Sequence, residues 1–305
     1  MRHRLLSGSL LVVIFSGGLI CRAQVIRPQD VEKLPSIPAD KRISYGTDAL
    51  QFGDLRLPKR QGRHPVAVVI HGGCWLSRFA DLRGTAALAS ALTNAGVATW
   101  NIEYRRVDNP GGGWPGTFQD ISLGIDYLRT LARTHPLDLK RVVIVGHSAG
   151  GHLALWAAGR ARLPKGSPLY TPDPLKVRGV INLAGPGNLR TIFPVQKEFC
   201  GSTPIAKLLG GTPEEVPGRY KIANPAEMLP LKVEQVLIMG AQDPVVPPKF
   251  GREYEQEARQ RGDKVKMIVL ENAGHFEAIA PGTTAWPIVE DAIKSLLKMK
   301  PSKNQ

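Results

Sequence analysis

The chain has 305 residues, with 40 Lys+Arg against 26 Asp+Glu, a formal charge of +14. Hydrophobic residues at 43% and charged residues at 22% are ordinary for a folded soluble protein and exclude intrinsic disorder. Three cysteines are too few for a disulfide-stapled scaffold, while the surplus positive charge keeps a nucleic-acid or anionic-surface partner open as a rival reading.

Residues 1–23 read as a signal peptide. Arg2, His3 and Arg4 form a basic start, an apolar stretch runs from Leu5 to Ile20, and Cys21-Arg22-Ala23 offers small residues at the two positions a signal peptidase inspects. Cleavage before Gln24 is predicted, which implies a secreted or periplasmic protein without stable membrane insertion. Two alternatives are a lipoprotein-like box at Gly18-Leu19-Ile20-Cys21, in which bulky Ile20 departs from the pattern, and an uncleaved anchor. Cleavage would remove Arg2, Arg4 and Arg22 and no acid, lowering the charge to +11. Cys74 and Cys200 would remain, either paired in an oxidising compartment or as two unpaired, partly buried thiols.

Residues 24–41, rich in Pro and charge, are expected to be a flexible leader to a catalytic domain spanning 42–305. Short alternating runs between Arg42 and Leu57 predict antiparallel strands. Beyond them the pattern becomes apolar strand, then helix, repeated. Runs at 66–70, 97–103, 142–145, 177–183, 236–239 and 265–270 are short and rich in β-branched residues, as buried parallel strands are. Helical stretches fall at 85–94, 118–133, 152–160, 249–260 and 286–298. The alternation predicts an α/β fold: a mostly parallel central sheet with helices on both faces. Residues 186–230 break the rhythm with many Gly and Pro, and read as a cap insertion beside a ligand site.

The strongest chemical signal is Gly146-His147-Ser148-Ala149-Gly150, placed between a predicted strand and a predicted helix. A tight strand-to-helix turn holds a serine in strained geometry above the sheet, and flanking glycines let strand and helix pass closely. Ser148 is therefore the candidate nucleophile. A serine hydroxyl needs a base, itself oriented by an acid. His275, in a loop after the last strand, is the best-placed base; His147 and His152 flank the serine and read as packing or capping residues. Asp243, after the strand at 236–239, is the candidate acid, against the plainer reading of a turn-forming Asp. The order Ser148, Asp243, His275 is the Ser…Asp…His order of α/β hydrolases.

Acyl transfer builds negative charge on a carbonyl oxygen, and backbone N–H groups must already point at it, typically for about 3–4 kcal/mol of the barrier. His71-Gly72-Gly73-Cys74-Trp75 after the first buried strand supplies such a loop. Gly73, Cys74 and Ala149 are the candidate oxyanion-hole donors. Trp75 and Trp114 are candidate substrate-binding residues, the latter at the end of Gly111-Gly112-Gly113-Trp114. That glycine run is no phosphate loop, since no Lys-Ser/Thr follows it. No clustered His, Cys or carboxylate spacing calls for a metal, and this chemistry needs no cofactor.

These motifs resemble the α/β hydrolases of the esterase/lipase group with an HGG-x-W oxyanion motif, which includes kynurenine formamidases and carbohydrate-directed acetyl or feruloyl esterases. The resemblance runs from about Tyr45 to the end, through Tyr104-Arg105, Phe118-Gln119-Asp120, Gly146 to Gly151, Asp243 to Pro247, and Gly274-His275. Hormone-sensitive-lipase-type relatives carry a third Gly where this chain has Cys74, and the C-terminal half also resembles prolyl oligopeptidase catalytic domains, though no propeller fits in this length. The resemblance implies a serine hydrolase of small-molecule or carbohydrate-linked esters working through an acyl-enzyme, with oligomeric state left open. An arylformamidase is the alternative within the enzymes, and export argues against its cytosolic substrate. A non-catalytic binding module on the same fold is the alternative outside them, and such relatives usually lose the serine or the histidine. No basic helix or aromatic-basic motif concentrates the charge, so no nucleic-acid partner is expected.

Overall fold

A computed structural model describes residues 25–300. The predicted signal peptide and its cleavage site lie outside the described residues.

Eight strands form one sheet: β1 (Lys41–Ser44), β2 (Phe52–Arg56), β3 (His64–Ile70), β4 (Ala98–Ile102), β5 (Leu137–His147), β6 (Gly179–Leu183), β7 (Glu234–Gly240) and β8 (Val265–Leu270). Their order across the sheet is β1-β2-β4-β3-β5-β6-β7-β8. The β1–β2 and β2–β4 pairs are antiparallel and the remaining pairs are parallel. Antiparallel strands at one edge and a mostly parallel remainder are what the sequence pattern predicted.

The central strands are apolar throughout because both faces are covered. On β3, Val66, Val68 and Ile70 pack into one core with Phe118, Ile121 and Trp156, while Ala67 and Val69 face the other, with Leu88, Leu92, Val289 and Ile293. The helices Gly116–Asp126 and Ala149–Gly159 thus cover one face, and Ala86–Asn94 and Trp286–Leu296 the other. Between β6 and β7 the segment expected as a cap consists of five short helices, from Leu189–Ile192 to Pro225–Met228.

The leader differs from expectation. Instead of remaining loose, its described part forms a short helix, Pro28–Glu32, and is held at several points along its length. Val31 is buried in the second core, the Ile26 N–H donates to Glu277 Oε1 at 2.6 Å, and the Ile37 N–H donates to Ser90 Oγ at 2.8 Å. Val31, with Ile26 and Leu34 packed against the same core, offset a composition that otherwise read as linker.

Candidate active site

Four loops meet at the carboxyl ends of the parallel strands, where open α/β sheets place their ligand crevices. They follow β3, β5, β7 and β8, and carry His71–Trp75, Ser148, Asp243 and His275 respectively.

Ser148 sits at the turn from β5 into the helix Ala149–Gly159 with φ 53° and ψ −120°. A non-glycine residue in that region costs about 1–3 kcal/mol, which the surrounding packing must sustain. The turn closes because its neighbours lack side chains: a Cβ on Gly146 would stand 2.0 Å from the Gly150 carbonyl oxygen, and one on Gly150 would stand 2.3 Å from that of Ile70. The Ser148 N–H donates to Leu183 O on β6 at 2.8 Å, which ties the turn to the sheet.

Asp243 and His275 come together across β7 and β8. His275 Nδ1 lies 2.7 Å from Asp243 Oδ2. The other Asp243 oxygen accepts the N–H groups of Val245 and Val246 at 2.7 and 2.9 Å. Burial alone would raise the Asp243 carboxyl, but the bond from His275 and these N–H donors outweigh it and hold it below the ordinary value. An ionised Asp243 requires the proton on His275 Nδ1, and in the neutral imidazole that leaves Nε2 as the acceptor. Ser148 and His275 line the same cavity, of about 400 Å³.

The loop after β3 bends sharply beside Ser148. Gly73, Cys74 and Trp75 have φ of 105°, 52° and 55°, three successive positive values that turn the chain sharply. The N–H groups of Gly73, Cys74 and Ala149 find no acceptor among the described residues. Successive N–H groups in such a turn, beside a helix N-terminus, form a concavity for negative charge. A Cβ on Gly72 would meet the Ser148 Cβ at 2.9 Å, so the loop passes directly over the serine.

The carboxylate that anchors this loop through His71 escaped the sequence reading. Glu103, at the end of β4, accepts from His71 Nε2 at 2.9 Å, Arg106 Nη1 at 2.8 Å, the Tyr104 N–H at 2.8 Å and the Leu82 N–H at 3.2 Å. Burial pushes its carboxyl up, and the His71 and Arg106 interactions bring it below the ordinary value. The Tyr104 hydroxyl donates to His71 O at 2.9 Å, and the two rings stack at 4.4 Å. The available signal was an acid just past the end of a buried strand, followed three residues later by Arg106. Next to it, Arg105 pairs with buried Asp120 at 2.6 Å, joining two segments the family resemblance had singled out.

The two tryptophans separate. Trp75 lines a second, smaller cavity of about 30 Å³ that also borders Ser148 and Ala149. Trp114 lines neither cavity: it packs edge-on against Phe118 at 5.8 Å, with the Arg219 guanidinium 5.4 Å from its ring. The ring contacts of Trp114 are thus packing contacts with Phe118 and Arg219. Cys74 and Cys200, left open as free thiols or a pair, form a disulfide across 126 residues, with Cα atoms 5.9 Å apart. Among the described residues no group of His, Cys, Asp or Glu side chains is arranged to hold a metal, and no helix is long and apolar enough to cross a membrane.

The BD-FAE family model matches residues 54–257, two thirds of the chain, and includes the serine turn and Asp243. The chain belongs to the BD-FAE family. It is similar to esterase LipC of Mycobacterium tuberculosis, 24% identical over 261 residues that make up 81% of this chain and 62% of LipC. It is similar to esterase LipQ of the same organism, 25% identical over 300 residues, 90% of this chain and 68% of LipQ. The chain therefore spans about two thirds of the length of these relatives. Among solved structures it superposes on a truncated carbohydrate esterase from gut microbiota with a TM-score of 0.72 at 23% identity, covering 86% of this chain and 99% of that one. Esterase B from Lactobacillus rhamnosis gives a TM-score of 0.74 at 18% identity, covering 89% and 92%. The architecture of this BD-FAE member is the α/β-hydrolase fold.

Proposed function

We propose that the chain is a carboxylesterase-type serine hydrolase in which Ser148 is the nucleophile, His275 the general base and Asp243 the residue that orients it. The observation that carries this reading is the meeting of a strained serine, an Asp-bound imidazole with a free Nε2, and unpaired loop N–H groups around one cavity. Two esterase relatives and two esterase structures support the same activity.

In the mechanism, Ser148 Oγ attacks the ester carbonyl as His275 Nε2 takes its proton. Negative charge collects on the carbonyl oxygen, facing the N–H groups of Gly73, Cys74 and Ala149. Collapse breaks the carbon–oxygen bond, and His275 returns the proton to the leaving alcohol. Water, deprotonated by the same histidine, then cleaves the acyl-enzyme and regenerates Ser148. Asp243 stays ionised throughout and stabilises the imidazolium.

Carbohydrate-linked esters are the substrates that fit best. The likeness to a gut-microbiota carbohydrate esterase supports this, and so does the larger cavity, whose mouth carries Gln29, Glu32 and Arg78 for hydroxyl groups beside the exposed ring of Phe79. Export to a secreted or periplasmic location belongs to the same reading, and the Cys74–Cys200 disulfide suits an oxidising compartment. The test is hydrolysis of p-nitrophenyl acetate and of an acetylated oligosaccharide by wild type and Ser148→Ala. Turnover by wild type that vanishes in Ser148→Ala is expected; unchanged turnover in the variant would refute the assignment.

A further inference from the structure

Two cavities border Ser148, and they differ in size and in company. The larger, about 400 Å³, is lined by His275. The smaller, about 30 Å³, is not; it lies beside Ala149 and is bounded by Trp75, Ile192, Ile205 and the Cys74–Cys200 disulfide. Besides Ser148, Cys74, Phe199 and Val245 border both, so the Cys74 end of the disulfide, one ring and one valine form the partition.

The division assigns the two halves of an ester, given the serine hydrolase reading on which this inference rests. The group that protonates the leaving alcohol must reach the alcohol oxygen. That group is His275, so the alcohol half occupies the cavity His275 lines. The acyl half then extends to the opposite side of the carbonyl, into the small cavity. We propose that this cavity, bounded by the Cys74–Cys200 disulfide, is an acyl pocket that accepts two- or three-carbon acyl groups and rejects longer or aromatic ones.

The volume sets the limit. A water-sized sphere needs roughly 10–15 Å³ of such space, so about 30 Å³ holds a methyl or ethyl group and not an aromatic ring. The walls resist widening. Ile205 and Ile192 are buried and belong to the main core, and Cys200 is covalently tied to the loop that carries the oxyanion-site N–H groups. A longer acyl chain must displace the cap helices, and through the disulfide it pulls on the loop that faces the developing charge. Chain length is thus penalised in binding and again in the transition state.

The experiment compares kcat/KM on p-nitrophenyl acetate, butyrate and hexanoate and on a feruloyl ester, for wild type, Ile205→Ala and Cys200→Ala, with folding checked by circular dichroism. Wild type is expected to favour acetate over hexanoate by at least roughly tenfold, the scale that misfit of a methylene or two imposes in a fitted pocket. Both variants are expected to narrow that ratio by a similar factor. Ile205→Ala keeps the disulfide and decides the question even where Cys200→Ala fails to fold. A flat acetate-to-hexanoate ratio in wild type, or an unchanged ratio in folded Ile205→Ala, overturns the pocket and leaves the esterase reading standing. An unchanged ratio in folded Cys200→Ala overturns the part assigned to the disulfide. Folded wild type that hydrolyses no ester at all, acetate included, overturns the esterase reading and the pocket together.

Discussion

The imidazole of His147 donates from Nε2 to the main-chain carbonyl of His275, 2.8 Å away. The residue before the serine therefore holds the loop that carries the proposed base. A carbonyl only accepts, so Nε2 must bear the hydrogen and the neutral ring suffices. Burial and the nearby His275 push the His147 pKa down to about 3. Unfolded, it would titrate near 6.5. Between those values the unfolded chain binds the extra proton, so stability is present above pH ~6.5 and is lost as pH falls toward 3, by up to about 1.4 kcal/mol per pH unit. Thermal melts from pH 7 to pH 4 should show that decline, with a shallower slope in His147→Gln. Equal slopes would contradict it.

In the proposed mechanism Asp243 acts on its neighbour, not on substrate. Replacing it with Asn leaves the shape but removes the charge and allows the wrong histidine tautomer. Asp243→Asn should lower kcat on p-nitrophenyl acetate by about 10³–10⁴-fold at neutral pH, with little change in KM. A loss below tenfold would mean that Asp243 does not orient His275.

Glu103 accepts four hydrogen bonds beneath the glycine loop. Glu103→Gln removes the charge that Arg106 and His71 face and leaves the loop free to drift from the reacting carbonyl. The effect should fall on kcat, by up to about 10²-fold, more than on KM, because the loop faces charge that exists only in the transition state. A change confined to KM would place Glu103 in ground-state binding instead.

Gly150→Ala sets a methyl group against the carbonyl oxygens of Ile70 and His71, at 2.3 and 2.4 Å. Both belong to rigid backbone at the end of β3, so the turn itself must open. The variant should lose about 3 kcal/mol of stability. That corresponds to roughly 6–12 °C in melting temperature, measurable by calorimetry. A melting temperature within 2 °C of wild type, on the order of 1 kcal/mol or less, would show that the helix can move.

What could be read from sequence was whatever rests on local pattern. The buried strands appeared as β-branched runs because β3, β5 and β6 have helices on both sides and no alternation to confuse. Ser148 was legible because its turn needs glycines on both sides within one short stretch. Asp243 and His275 followed from the order of strand ends. The residues that went unread depend on long-range meeting. Glu103 looks like any acid at a strand terminus until His71, 32 positions earlier, folds onto it. Cys74 and Cys200 are separated by 126 residues, and spacing carries no information on whether they touch. Trp114 shows the same limit, since an aromatic after glycines marks a turn but not the direction of the ring, and here the ring packs against Phe118.

The leader helix has a practical bearing on handling the protein. Pro28, Gln29, Val31 and Glu32 form part of the wall of the larger cavity, and the chain upstream is pinned beside it through Ile26 and Glu277. Anything fused just ahead of residue 25, such as a purification handle, a display anchor or a residual linker, would emerge beside the larger cavity, the proposed doorway for the alcohol half. Attachment after the terminal helix Trp286–Leu296 keeps that doorway clear. Kinetic constants from amino-terminal fusions are therefore best compared with those from carboxyl-terminal ones before either is ascribed to the enzyme.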